Sequence, residues 1–217
     1  RRFGTTIERR QASYNRNSAV KLFMISILSV LSFSSLAQCE ESSMGLKFKK
    51  YNSLEQAMIE PDSVFYLDLS KARLKQLPND VYAFKNLTVL ILDRNRLIEI
   101  PENIGNLRCL KVLSVERNKL DHIDNGIFRL KNLEHLNLSN NKIRVIPSQI
   151  GRLSNLISLE LWSNIIEEYA PELATLAKLE KLDLLNNQMT IPEQEMVKIF
   201  LPNTEIILSP PCNCSFD

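Results

Sequence analysis

LTVLILDRN (87–95), LKVLSVERN (110–118), LEHLNLSNN (133–141), LISLELWSN (156–164) and LEKLDLLNN (179–187) are five copies of one phrase, L-x-x-L-x-[LV]-x-x-N, set 23 residues apart. A sixth, degenerate copy precedes them, VFYLDLSKA (64–72), with Ala72 in place of the asparagine. A fixed period of this size means one supersecondary unit stacked along an axis, each copy too small to bury its apolar face alone. Within a phrase, apolar and variable positions alternate as in a strand with one buried face. Leu87, Leu90 and Leu92 are expected inward, and Val89, Ile91 and Asp93 outward.

Strands repeated in one orientation pair only as a parallel sheet, and parallel pairing requires a crossover between neighbours. The rest of each repeat supplies it. In the second copy it reads RLIEIPENIGNLRC, with Leu97, Ile100, Ile104 and Leu107 as further inward residues. Pro101 and Pro147 interrupt the backbone ladder, which favours an irregular or short helical return over a long helix. The asparagines Asn95, Asn118, Asn141, Asn164 and Asn187 are expected to be structural. At the turn after each strand, backbone groups point inward without a sheet partner, and a buried orphan costs about 1–3 kcal/mol. A carboxamide carries both a donor and an acceptor, so stacked asparagines can satisfy neighbouring turns.

These residues resemble the leucine-rich repeat family in its 23-residue form, L-x-x-L-x-L-x-x-N-x-L-x-x-[LI]-P, over residues 64–192 and six copies. The resemblance implies an α/β fold: a right-handed solenoid, or horseshoe, with a parallel concave β-sheet and short helical or irregular convex returns. It also implies protein binding on the concave face. Three copies depart from the pattern. Asp124 replaces the proline of the third, Ala170-Pro171 moves it by one in the fifth, and Pro192 arrives one residue early in the sixth.

A solenoid needs caps at its ends. Residues 38–63 are expected to hold a tether and a helical cap: in YNSLEQAMIEPDS, Asn52 or Ser53 can N-cap a short helix that Pro61 stops. Residues 193–217 read as a second cap and a tail, with a helix at 193–200 that turns Met196, Val197 and Phe200 inward. Thr204 to Leu208 is expected to add a last strand.

Residues 1–37 read as a leader. Lys21 and the apolar run LFMISILSVLSFSSLA (22–37), ending in Ser35-Leu36-Ala37, have the layout of a signal peptide over 20–37. The run is shorter than the ~20 uniformly apolar residues of a spanning helix. An uncleaved anchor or a buried helix are the alternatives. Residues 1–19 lack periodicity and read as a long n-region or as sequence upstream of the true start, with Val20 a candidate initiator. Leu36-Ala37-Gln38-Cys39 resembles a bacterial lipoprotein signal, which makes Cys39 a candidate lipidation site, although Gln38 departs from the small residue preferred there. Cleavage after Ala37 without lipidation is the alternative.

Without residues 1–37, 21 basic and 24 acidic residues remain, about −3 against +2 for the whole chain. The basic balance therefore belongs to the leader, and a nucleic-acid partner loses its support. Cys109 reads as a small buried residue, and Cys212 and Cys214 as a local disulfide or free thiols. No metal, cofactor or catalytic constellation is expected. His122 and His135 lie on different parts of the repeat, and neither a nucleophile motif nor a Gly-rich phosphate loop is present.

Binding is assigned to outward positions of the sheet: Ile91, Asp93, Arg94, Glu116, Arg117, His135, Glu160, Trp162 and Leu185. Trp162 beside Leu185 is the anchor, with local packing on Tyr169 as the bland alternative. Asp93, Arg94, Glu116 and Arg117 form a charged quartet, for which the bland reading is a self-neutralising solvated surface. Ile91 lies in a small apolar strip with Val89 and Val112. The expected function is a monomeric, non-enzymatic protein-binding module, secreted or attached to a bacterial cell surface. A cytoplasmic signalling scaffold resembling Ras-group leucine-rich-repeat proteins, or a structural surface spacer, are the alternatives.

Overall fold

A computed structural model describes residues 49–210. The expected leader, Cys39, Cys212 and Cys214 lie outside the described residues. The chain divides into two units, 1–38 and 39–217, and the solenoid belongs to the second.

Among the described residues, eight short parallel strands form one sheet and lie side by side in chain order. The repeats supply β2 (Tyr66–Asp68), β3 (Val89–Ile91), β4 (Val112–Ser114), β5 (His135–Asn137), β7 (Ser158–Glu160) and β9 (Lys181–Asp183). Their register advances by one repeat per strand: Leu67 faces Leu90, Leu90 faces Leu113, Leu113 faces Leu136, and so on to Leu182. Each of these leucines is buried, and together with the leucines and isoleucines of the returns they make one continuous core.

The returns are single 3-10 turns, at Asn79–Ala83, Glu102–Asn106, Ile127–Arg129, Ser148–Arg152 and Pro171–Thr175. Pro78, Pro101 and Pro147 precede three of them at φ of −62°, −58° and −79°, Pro171 opens a fourth, and each proline removes one amide that would lack a partner. The sequence did not anticipate a second ladder on the return side. There β6 (Val145–Ile146) pairs with β8 (Glu168–Tyr169).

Both ends differ in detail from expectation. At the N-terminal end, β1 (Lys50–Tyr51) pairs with β2 as an edge strand that the sequence reading did not include. Helix α1 (Leu54–Ala57) follows, with the Ser53 hydroxyl accepting from Gln56 N. At the other end, α2 (Ile191–Phe200) starts two residues earlier than expected because Thr190 and Glu193 form a reciprocal capping box. That start sets the helical phase. Val197 is fully buried and Phe200 half-buried, but Met196 faces solvent, and Gln194 turns inward instead. Strand β10 (Glu205–Ile207) closes the sheet against β9.

Candidate protein-binding face

The asparagine turns set the geometry of the face. Asn141 donates from Nδ2 to the carbonyls of Val115 and Leu138 (3.0 and 2.9 Å) and accepts from Leu120 N on Oδ1 (3.1 Å). Asn95, Asn118, Asn164 and Asn187 repeat the same bonds. Each therefore ties its own turn to the coil before it. One residue earlier, the chain takes the left-handed conformation. Lys71, Arg94, Arg117, Asn140, Ser163 and Asn186 all have φ between 54° and 60°. At this kink Lys71, Arg94, Arg117 and Asn186 are exposed, and Asn140 and Ser163 are half-buried.

The outward positions of successive strands come into line as rows. One row runs Val89, Val112, His135, Ser158, Lys181, and the next Ile91, Ser114, Asn137, Glu160, Asp183. Part of the second row serves the backbone. Asn137 and Asp183 each accept from the amide two residues on, Ser139 N at 2.9 Å and Leu185 N at 3.0 Å. His135 is exposed, and Glu160 is half-buried with no ion pair among the described residues.

The charged quartet is not one network. Asp93 Oδ1 accepts from Ser114 Oγ (2.6 Å) and Glu116 N (2.9 Å), so its carboxylate pins the next coil. Arg117 Nε meets the carboxylate of its chain neighbour Glu116 at 3.1 Å. Arg94 is exposed and joins no ion pair among the described residues.

Trp162 and Leu185 occupy equivalent places in adjacent coils, and both are half-buried; Ser163 N donates to Leu185 O at 2.8 Å. Trp162 does not depend on Tyr169. The Tyr169 ring packs edge-on against Phe200, and its hydroxyl donates to Glu193 O. On the other side of Trp162 lie Ser139 and Asn140. Among the described residues, Ser139 Oγ and Asn140 Nδ2 are buried without a hydrogen-bond partner. Both atoms are closed off from solvent, so they lie beneath the face and not on it.

Sequence reasoning missed the edge of the face at β1. Lys50 Nζ meets Asp68 at 2.7 Å and lies over the Tyr66 ring, while Lys49 lies over Tyr51. Partial burial works to raise the Asp68 pKa, but the bonds from Lys50 and Ser70 outweigh it and hold the carboxyl below its ordinary range. A two-residue strand carries too little periodicity to be seen in sequence. Cys109 also differs from the plain core residue expected: it is buried and disulfide-bonded.

A parallel sheet of short strands, asparagine-bonded turns and 3-10 returns define a leucine-rich-repeat solenoid, a fold whose members generally bind proteins. The chain belongs to the leucine-rich repeat family: the leucine-rich repeat region matches residues 90–202. A leucine-rich-repeat protein of Leptospira interrogans superimposes with a TM-score of 0.62 at 33% identity, over 75% of this chain and 48% of that one. This chain thus spans about half the length of the Leptospira protein. Internalin C2 of Listeria monocytogenes shares the fold, with a TM-score of 0.58 at 21% identity, over 76% of this chain and 69% of that one. No functionally curated protein matches the sequence.

Proposed function

We propose that this chain is a non-enzymatic, exported protein-binding module that grips a protein partner on its sheet face, with Trp162 and Leu185 as the anchor. The carrying observation is the half-buried indole of Trp162 at the open side of the sheet, beside the half-buried Leu185 of the next coil. A large aromatic that a partner can finish burying, beside a second apolar side chain, is the composition of an interface hot spot. Arg94 and Arg117, three and two coils before the anchor, are rim charges that steer association.

Export is supported by the signal-like run at 20–37 and by the disulfide at Cys109, since disulfides persist in oxidising compartments. Attachment through Cys39 follows from the same leader. N-terminal mass analysis of protein from the native host tests this part. A chain starting at Gln38, or at lipidated Cys39, is expected, and an unmodified chain retaining 20–37 refutes it.

Binding is tested by placing a photocrosslinking residue at Leu185 in the full chain in its native host. Leu185 should trap a protein, and the same residue at Gln149 on the return side should not. With that protein in hand, Trp162→Ala should weaken the complex by about 2 kcal/mol. Trapping at Gln149 and none at Leu185 would place the interface on the returns and overturn the assignment.

A further inference from the structure

The turn edge of the first coils carries a strip of cations that the fold does not use and that the sheet-face reading uses only at Arg94. Lys71, Arg73, Lys75, Arg94, Arg96 and Lys119 are all exposed. Arg73, Arg96 and Lys119 hold the same place in successive coils, one residue past the asparagine position, so they stand in a row at roughly the 4.8 Å spacing of paired strands. None of the six joins an ion pair among the described residues. Of the nearby carboxylates, Asp93 binds Ser114 and Glu116 and Asp121 is held by His122, while Glu99, next to Ile98 in the chain, is exposed and joins no ion pair among the described residues.

The turn itself gives no reason for cations here. Lys71, Arg73 and Arg94 sit at φ of 60°, 58° and 56°, where asparagine is at ease and bulky side chains are not. In the later coils Asn140 and Asn186 fill the equivalent place. The strip also has a floor. A depression of about 750 Å³ is lined by Lys75, Gln76, Arg96, Ile98 and Lys119, three cations and no carboxylate. Ile98 is 58% exposed there.

We propose that this strip docks an acidic protein segment that carries an apolar side chain among its carboxylates. Like charges held a coil apart repel one another, and a ligand supplying carboxylates at similar spacing relieves that repulsion. Ile98 gives the same ligand an apolar contact. A sulfated polysaccharide would satisfy the cations and leave Ile98 unused, so the isoleucine favours the peptide. The interaction is local and salt-sensitive, because exposed charges are screened over about 8 Å at physiological ionic strength.

The test uses the full chain and a short, fluorescently labelled Glu-rich peptide with a central leucine, titrated by anisotropy at low and at physiological salt. Dextran sulfate and the same peptide with glycine for leucine are the comparison ligands. Binding should weaken about tenfold or more with Arg96→Glu/Lys119→Glu, and measurably with Ile98→Ser or with the glycine peptide. Trp162→Ala and the distant Lys178→Glu should bind as the parent does, so the outcome is separate from that of the sheet-face anchor. Should the double variant fail to fold by circular dichroism, Arg96→Gln/Lys119→Gln takes its place. No peptide binding at low salt overturns the proposal, as does an equal loss in Lys178→Glu. Dextran sulfate binding without peptide binding, or indifference to Ile98, overturns the assignment to a protein segment.

Discussion

The Asn141 side-chain carbonyl accepts from the backbone N–H of Leu120, 21 residues earlier, at 3.1 Å, in a setting where both residues are buried. The bond crosses from one coil to the next, so a residue that reads as a turn former is also a staple between repeats. Asn141→Ala removes the acceptor and leaves Leu120 N, Val115 O and Leu138 O short of a partner away from water. The loss should be about 1–3 kcal/mol by denaturant unfolding. Leu120→Ala controls for packing loss, which acts by a different route. A midpoint unchanged in Asn141→Ala would show that water replaces the amide at the turn.

The asparagine column stops where its work stops. At position 72 the residue 21 earlier is Tyr51, already in the edge strand β1, and alanine is found there. At the other end the place for a next asparagine is Pro210. A side chain from α2 takes over: Gln194 is buried and its Nε2 donates to Met189 O and Ser209 O, both at 3.3 Å. Gln194→Leu should therefore destabilise the C-terminal coil by about 1–3 kcal/mol. Hydrogen exchange should show the loss concentrated in β9 and β10. Uniform exchange along the array would mean that Gln194 does not act as a local cap.

The repeat made the coils legible in sequence because every core position recurs with the period, so errors in one copy are corrected by the others. The asparagine role was legible for the same reason. What the period could not show were the features that occur once. The β1 edge strand has two residues, the capping box shifts α2 by half a turn, and Gln194 has no counterpart in any repeat. The cationic strip was also hidden. Lys71, Arg94 and Arg117 were visible as one column, but the left-handed φ that carries them to the turn edge, beside Arg73, Arg96 and Lys119, is a property of the folded backbone. Trp162 was legible as an outward residue, whereas its unpartnered neighbours Ser139 and Asn140 required coordinates.

The return side packs tightly where two 3-10 turns meet. A Cβ built on Gly126 would lie 2.8 Å from both the Cα and the carbonyl oxygen of Glu102, and 2.8 Å from a methyl of Ile104. Two of the three obstacles are backbone, which cannot swing aside. Gly126→Ala should cost about 1–3 kcal/mol through overpacking, despite the better helix propensity of alanine. Asn125→Ala, exposed on the same turn, should be close to neutral in the same thermal or denaturant unfolding experiment. Equal stability of Gly126→Ala and parent would show that the neighbouring coils can part without penalty.

Asp124 stands where other coils carry proline, and it recovers by side chain what the change of residue removes. Its Oδ2 accepts from Ile100 N at 2.7 Å in the preceding coil, and its Oδ1 meets His122 Nε2 at 3.0 Å. His122 is also bonded to Asp121, and this bond, with the pull of both carboxylates, raises its pKa above the ordinary 6.5 against partial desolvation. Burial raises the Asp124 pKa, only partly offset by the bond from Ile100 and by His122. The sign for His122 follows from linkage. A histidine whose folded pKa exceeds its unfolded value contributes stability that is complete below about pH 6.5 and is lost as pH rises through the folded pKa. The parent should therefore lose stability on the alkaline side of 6.5 by an amount that disappears in His122→Gln. Asp121 has a lowered pKa, chiefly through the His122 bond, so its contribution is present above its ordinary 3.8 and is lost only at acid pH. Within the window just above pH 6.5, histidine alone changes charge. NMR titration of the His122 ring gives the direct reading: it should titrate above 6.5. A His122 ring that titrates at or below 6.5 would show that the carboxylates do not clasp it.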